Sequence, residues 1–161
     1  MRIARENTLL GRNHVLGRIS RSEIINFRDL DAWQVGTDLV ELTYRLTAHF
    51  SADERYGLVS QMRKASVSVP SNVAEGQALG VTRWGLRHVM IAIGSSRELE
   101  TQLEIALRLR FIPSAAARDL RSGLDREQKL LYGLRRAHRL RLGLSLSGWL
   151  LSGVLLLRLL A

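Results

Sequence analysis

The strongest constraint on the fold of this chain is a spacing of apolar residues by three and four positions in four successive stretches. This spacing places the apolar side chains on one face of an α-helix. The four stripes, with one serine among them, are Val35, Leu39, Leu42, Leu46 and Phe50; Leu58, Met62, Ala65, Val69 and Val73; Leu86, Val89, Ile93, Ser96, Leu103 and Leu107; and Ala117, Leu120, Leu124, Leu131 and Leu134. Four helices joined by short loops predict an all-α, up-down-up-down four-helix bundle.

Local signals predict where these helices begin, bend and end. Ser51 followed by Glu54 is typical of a capping box, so we expect the second helix to start directly after Ser51. Thr82 is a candidate N-cap of the third helix. Pro70 lies inside the second stripe and removes one backbone donor, which predicts a kink or a local end. Pro113 is expected to end the third helix, because the residue before a proline avoids the α region.

Composition and spacing argue against most catalytic and metal-binding classes. The 161 residues include no cysteine, which excludes a disulfide-stapled fold, a cysteine-based zinc site and a thiol nucleophile. No two of the four histidines share a helical i, i+3 or i, i+4 spacing, so a multi-histidine metal site on one helix is not expected. Residues 76–80 lack the Lys-Ser/Thr pair that a phosphate-binding P-loop requires. We therefore expect no enzymatic activity, no cofactor and no bound metal.

The formal net charge of +9 lies at the two ends of the chain, since residues 28–112 are neutral overall. Residues 1–26 are expected to form a mobile basic arm before a bundle over residues 27–140. Late in the fourth helix, four arginines share a face as one cationic ridge: Arg135, Arg136, Arg139 and Arg141. This ridge and the arm predict contact with the phosphates of RNA or DNA. The alternative is that the arginines only solvate a helix end or flank a membrane-associated tail.

Residues 141–161 form an apolar tail, in which the stretch 142–157 carries no charge. A helix that spans a bilayer needs about 20 apolar residues, and this stretch is shorter and includes serine and glycine. Three interpretations stay open: an extension of the fourth helix that packs against its neighbours, an interfacial or short membrane segment, and translated sequence without a selected fold. We expect the protein to be cytoplasmic.

Polar residues form a second stripe on the second helix, beside the apolar one. An antiparallel hairpin with its turn near Gly80 brings together residues that lie at similar distances from the turn. The expected pairs are Arg63 with Glu98, Gln61 with Glu100, Asn72 with His88 or Val89, and Glu75 with Arg87. Ser71 and Asn72 are also expected to help satisfy the backbone that Pro70 disturbs. The stripe either fixes the register of the two helices or lines a cleft for a ligand or nucleic acid.

Four segments of the sequence form motifs in a fixed order. Residues 27–34 read Phe-Arg-Asp-Leu-Asp-Ala-Trp-Gln, and residues 68–76 read Ser-Val-Pro-Ser-Asn-Val-Ala-Glu-Gly. The first resembles Phe-x-Asp-Leu-x-x-Trp-Gln, and the second is similar to Ser-Ile-Pro-Ser-Asn-Ile-Ala-Glu-Gly. Both are motifs of the bacterial four-helix bundle family known as 23S rRNA intervening-sequence proteins. Residues 55–65 and 94–102 resemble the family's second-helix start and its third-helix motif.

The resemblance implies a bundle that assembles as a homopentamer and belongs to a family without an established enzymatic activity. Many genes of the family lie in insertions within 23S rRNA genes. A related branch comprises accessory proteins of diversity-generating retroelements, which bind a reverse transcriptase and nucleic acid. We therefore expect a non-enzymatic assembly or adaptor protein; the alternative is an RNA- or DNA-binding accessory protein. The candidate site within the motifs is Gln61, Arg63, Ser71, Asn72, Glu75, Glu98 and Glu100.

Overall fold

The computed structural model describes residues 26–143, which form four α-helices and, within this range, no β-strand. Short 3₁₀ helices precede the first and second α-helices, at Phe27–Asp29 and Ala52–Arg55. The four α-helices are α1 (Asp31–Thr47), α2 (Leu58–Ala78), α3 (Arg83–Arg108) and α4 (Arg118–Arg141). The all-α prediction is confirmed for this part of the chain.

Each helix packs against two neighbours in a closed cycle, α1 on α2, α2 on α3, α3 on α4 and α4 on α1. Successive helices run antiparallel, as three side-chain hydrogen bonds show: each joins the late part of one helix to the early part of the next. These bonds are Arg63 to Thr47, His88 to Asn72, and Arg121 to Glu104. The predicted up-down-up-down four-helix bundle is therefore confirmed.

The apolar stripes meet in two clusters towards opposite ends of the bundle. One cluster includes Leu39, Met62, Ala65, Leu99, Leu103, Leu120 and Leu124, and the other includes Ala32, Val69, Val73, Val89, Ile93 and Leu131. Along α2, α3 and α4, one fully buried polar residue lies between the positions that feed the two clusters: Ser66, Ser96 and Glu127. We call these three residues the polar layer. The core of the bundle is thus divided by polar side chains near its middle.

The first turns of α2 and α3 are capped by different kinds of residue. At α3 the predicted cap is confirmed, since the backbone N–H of Gly85 donates to Thr82 Oγ1 at 3.0 Å. At α2 the predicted start is wrong. Ser51 begins only a 3₁₀ turn and its side chain makes no capping bond, whereas Glu54 Oε2 accepts the backbone N–H of Leu58 at 3.0 Å. A carboxylate stabilises the N-terminal end of a helix, so Glu54 caps the first turn of α2 from the preceding 3₁₀ turn.

Pro70 does not end α2, which continues from Leu58 to Ala78. Two polar side chains next to the proline bond to backbone carbonyls one turn earlier in the same helix. Ser71 Oγ donates to the carbonyl of Val67 at 2.9 Å, and Asn72 Nδ2 donates to the carbonyl of Ser68 at 2.9 Å. The two bonds support the carbonyls next to that of Ser66, which loses its helical donor to Pro70, and neither of them reaches Ser66 itself.

Glycines allow α2 to approach both of its neighbours closely. A Cβ atom at Gly36 of α1 would lie 3.4 Å from the Cβ and Cδ atoms of Pro70, so the ring fills the space that the glycine leaves. A Cβ atom at Gly85 of α3 would lie 2.1 Å from the carbonyl oxygen of Gly80 and 3.0 Å from that of Gly76. Only glycine fits position 85 without a shift of the backbone.

The predicted arm over residues 1–26 and the apolar tail over residues 141–161 lie almost wholly outside the described residues. The same holds for the uncharged stretch 142–157, of which only the first two residues are described. Among residues 26–143, none of the helices combines the length and the apolar character that crossing a membrane requires.

Candidate functional site

Polar side chains bond to one another along the outer junction of α2 and α3. Ser95 Oγ donates to Ser68 Oγ at 2.8 Å, and Asn72 Nδ2 donates to the same hydroxyl at 3.1 Å. His88 Nδ1 lies 3.0 Å from both Asn72 Oδ1 and Glu75 Oε2. Because the amide oxygen can only accept, Nδ1 carries a proton and donates. We call these five residues the α2–α3 seam.

The predicted register holds at the turn end of the seam. The pair Asn72 and His88 is confirmed by the hydrogen bond between them. The partner predicted for Glu75 is wrong, since Glu75 contacts His88 and not Arg87. The guanidinium of Arg87 instead lies 5.8 Å from the ring of Trp84, one turn earlier on the same helix. Near the turn, one histidine thus takes the place of the expected arginine.

Far from the turn, the predicted pair of Arg63 and Glu98 is wrong. Arg63 Nε donates to Thr47 Oγ1 at 2.9 Å, and its guanidinium stacks 4.5 Å from the ring of Tyr44. Glu98 is exposed and accepts a hydrogen bond from Gln102 at 3.0 Å, one turn along α3. Arg63 therefore joins α2 to α1 instead of joining α2 to α3.

The predicted contact of Gln61 with Glu100 is also wrong. Gln61 is exposed on α2, while Glu100 accepts hydrogen bonds from Gln128 of α4 at 2.9 Å and from Arg97 at 2.8 Å. The hydrogen bond from Gln128, and to a smaller extent that from Arg97, lowers the pKa of Glu100 below its usual value. Ser71 faces solvent. The predicted polar stripe is thus divided among three helix junctions, and only its part near the turn lies in the seam.

Large apolar side chains of α3 are exposed beside the seam, at positions that were not predicted as part of a site. Trp84, Ile91 and Ile105 of α3 are each more than a third exposed. The three α3 residues are separated by seven and fourteen positions, which is the spacing of a helix that packs along another helix. That spacing was the signal in the sequence that could have identified them. We call this surface the outer α2–α3 face.

A groove on the other side of α2 brings tyrosines and cations together. It has a volume of about 600 Å³ and runs between α1, the second 3₁₀ turn and α2. Its lining includes Tyr44, Arg55, Tyr56, Arg63, Lys64 and Val67, and no aspartate or glutamate. Apart from Arg63, the sequence analysis singled out none of these residues as site residues, because they belong to different elements. We call it the α1–α2 groove.

The predicted cationic ridge lies at the end of α4. Arg136, Arg139 and Arg141 are exposed, and Arg135 is half-buried with its guanidinium 4.6 Å from the ring of Tyr132. The structure places the four arginines within the last two turns of one helix. Contact of this ridge with nucleic acid stays a prediction.

The polar layer and one residue near the end of α4 hold buried groups without partners among the described residues. Both carboxyl oxygens of Glu127 and the hydroxyl of Ser96 lack a hydrogen bond, as does Nδ1 of His138. Burial raises the pKa of Glu127 to about 8, against a smaller opposite effect of Arg126. Burial lowers the pKa of His138. Both side chains are therefore held in their neutral forms near pH 7.

The carboxylates and histidines of the described part of the chain do not converge. Within residues 26–143, no group of three or more histidine, aspartate or glutamate side chains lies close enough to hold a metal ion. The candidate functional surfaces of this range are the outer α2–α3 face with its seam, the α1–α2 groove and the α4 ridge.

Residues 28–133 match a protein-family model described as 23S rRNA-intervening sequence protein. The match includes all of α1, α2 and α3 and most of α4, and with them the seam and the groove. No match to a curated protein was found.

Proposed function

This chain belongs to the 23S rRNA-intervening sequence protein family, and from that membership we propose that it acts in the bacterial cytoplasm as a non-enzymatic assembly or adaptor module. Its first partner is a second copy of itself. The observation that carries this proposal is the outer α2–α3 face, where Trp84, Ile91 and Ile105 leave apolar surface in contact with solvent.

The outer face has the composition of a helix-packing surface. Exposed apolar side chains mark interaction sites, because covering them removes apolar surface from water. Trp84 and Ile91 lie two turns apart, and Ile105 lies farther along α3, beyond the exposed Glu98. Their spacing along α3 suits an approaching helix, and the neighbouring polar seam adds hydrogen-bonding groups that favour one register. A homo-oligomer is therefore the simplest use of the face. The family resemblance gives five as the expected number of subunits.

Light scattering coupled to size-exclusion chromatography tests this proposal on the full chain. We expect a mass that is a multiple of the 18.1 kDa chain, five-fold if the resemblance holds for the subunit number. Ile91→Glu places a charge in the proposed contact and is expected to shift the population towards the monomer at micromolar concentration.

Met90→Glu is the matched control for Ile91→Glu. The two residues are adjacent and similarly exposed, 45% for Met90 and 39% for Ile91, but they lie about 100° apart around α3. Met90→Glu should leave the mass unchanged. A monomeric wild-type chain would refute self-assembly, and an equal response to both variants would move the contact away from the outer face.

A second candidate function is that of an accessory protein that binds RNA or DNA, together with a reverse transcriptase. The composition of α4 favours it, because the helix carries no acidic residue from Gln128 to Arg141. Phosphate contacts made by the ridge would weaken steeply with salt. Filter binding of structured RNA and duplex DNA at low and physiological salt tests this role. Loss of binding when Arg135, Arg136, Arg139 and Arg141 all become alanine would assign it to the ridge.

A further inference from the structure

We propose that the α1–α2 groove binds a single strand of nucleic acid, with bases stacked on its tyrosines and phosphates held by its cations. This inference rests on the second candidate function, nucleic-acid binding, and gives that function a site other than the α4 ridge. The groove unites the two features that single-strand binding requires, a positively charged track and aromatic surfaces for the bases.

The first feature is a tyrosine whose ring does not pack against the rest of the monomer. Tyr56 is 88% exposed, so its ring contributes almost nothing to the core of the bundle. Tyr44 lines the same groove and is 44% exposed. Stacking of a base on an exposed aromatic ring does not depend on the identity of the base, since every base has a π-face. Tyr56, together with the face of Tyr44 that Arg63 leaves open, therefore favours an unpaired strand over a duplex, whose bases are already stacked.

The second feature is an arginine fixed in position by its neighbours. Arg63 Nε donates to Thr47 Oγ1 at 2.9 Å, and the guanidinium lies 4.5 Å from the ring of Tyr44. The buried Thr47 hydroxyl donates in turn to the carbonyl of Thr43 at 2.8 Å. This bond uses one of the five N–H donors of the guanidinium and leaves those of its two terminal nitrogens for a phosphate.

The charge of the groove favours an anion. Arg55, Arg63 and Lys64 contribute three positive charges to the lining, in a central part of the chain that is neutral overall. Glu54 precedes them and keeps its negative charge, but its carboxylate accepts the backbone N–H of Leu58 and is not part of the groove lining. The groove is therefore a local positive patch without an acidic residue in its wall.

The dimensions of the groove suit a short strand. Its lining runs along α2 from Val59 to Ser68, which at 1.5 Å per residue is about 14 Å. A stacked strand rises about 3.4 Å along its axis per nucleotide, so the groove covers about four nucleotides. The ring beside the α4 ridge, Tyr132, is partly buried and lies 4.6 Å from the guanidinium of Arg135, so it is less accessible to a base than Tyr56.

Fluorescence anisotropy with the full chain tests the proposal, using labelled oligouridylate and oligothymidylate of about 12 nucleotides, within the usual range of single-strand site sizes. Three cations and a slope of about −0.7 per neutralised phosphate predict about 20-fold weaker binding at 200 mM than at 50 mM salt. Tyr56→Ala should weaken binding about tenfold or more, and Tyr56→Phe should retain it because the ring is kept. Since Tyr56 is almost fully exposed, both variants should fold.

The two lysines of the chain provide a matched pair of charge reversals, because Lys64 lies in the groove and Lys129 lies exposed on α4. Lys64→Glu should weaken binding strongly, and Lys129→Glu should leave it near the wild-type value. The reverse result, or loss of binding only when the four ridge arginines become alanine, would refute the groove and leave nucleic-acid binding intact.

Other outcomes would contradict the proposal more broadly. Absence of binding to any single strand at 50 mM salt would refute the groove site, and absence of binding to structured RNA and duplex DNA as well would refute the second candidate function. Equal affinity for a duplex of the same length would refute single-strand recognition. If polyglutamate competed as well as the oligonucleotide and Tyr56→Ala had no effect, the groove would be a site for acidic peptides.

Discussion

The α2–α3 seam and the polar layer both place polar side chains between helices, but only the seam gives all of them partners. In the seam, Asn72 bonds to both Ser68 and His88. In the layer, the carboxyl of Glu127 has no hydrogen-bond partner among the described residues. Paired polar groups specify a register, whereas an unpaired buried carboxyl costs free energy. The α2–α3 hairpin is therefore held by matched polar contacts, whereas Glu127 adds none to α4, whose polar bonds to α3 include those of Gln128 and Arg121, outside the polar layer.

The largest expected effect is the loss of close contact at the turn end of the seam. Gly85→Ala would place Cβ 2.1 Å from the carbonyl oxygen of Gly80, which forces the backbones of the hairpin apart. We expect a loss of at least about 3 kcal/mol in the free energy of unfolding, since overpacking against backbone cannot be relieved by a rotamer change. Urea denaturation followed by circular dichroism measures it.

Gly94→Ala is the control for this variant, on the same helix and with no atom within 4 Å of the added Cβ. It should stabilise the protein by about 0.5–1 kcal/mol, because alanine is the better helix former. If Gly85→Ala were as stable as Gly94→Ala, the close approach of the hairpin would not be required for folding.

The next largest effect concerns the polar layer and depends on pH. The pKa of Glu127 is raised from 4.5 to about 8 by burial, so between these values the folded state holds a proton that the unfolded state has released. The contribution of this group to stability is complete below pH 4.5 and is lost as the pH rises through 8. The loss is on the order of a few kcal/mol.

Glu127→Gln should abolish this part of the pH dependence, because the amide does not titrate. The difference in melting temperature between the variant and the wild type should therefore grow in favour of the variant from pH 5 to pH 8. Taking the difference removes the contribution of His138, whose lowered pKa acts in the opposite direction below its ordinary value. If the difference in melting temperature between variant and wild type stayed constant from pH 5 to pH 8, the carboxyl of Glu127 would be solvated or paired.

The smallest expected effect concerns the far end of the α2–α3 junction. Glu98→Ala should change stability by no more than about 0.5 kcal/mol because Glu98 is exposed. Arg63→Ala should cost about 1 kcal/mol through its bond to Thr47 and its contact with Tyr44. In a double-mutant cycle, the two effects should add within about 0.5 kcal/mol. A coupling energy above about 1 kcal/mol would restore the pair that the sequence predicts.

The four helices could be predicted because burial follows a period that is visible in the residues themselves. The seam could be predicted only near the turn. Between the pair Asn72 and His88 and the pair Ser68 and Ser95, four positions on α2 correspond to seven on α3. Side chains reach across the junction at different angles, so a fixed register fails with distance from the turn.

The other surfaces depend on three-dimensional arrangement to different degrees. Glu127 could have been recognised, since it lies three positions after Leu124 and four before Leu131, in line with the apolar stripe of α4. The α1–α2 groove could not, because Tyr44 and Tyr56 belong to different elements whose relative placement depends on the start of α2. The predicted start of α2 is six residues too early, so the sequence does not indicate which side chains line the groove together.

The contact between Gly36 and Pro70 limits which residues can replace either of them. A Cβ atom at position 36 would lie 3.4 Å from the proline ring and 3.4 Å from Val69 Cγ1, so alanine fits there, whereas a longer side chain would press on both residues. A long residue at position 70 would in turn displace α1. The two sites are therefore expected to change together across descendants of this chain, so that a proline disfavoured by helix propensity alone persists as one half of a coupled pair.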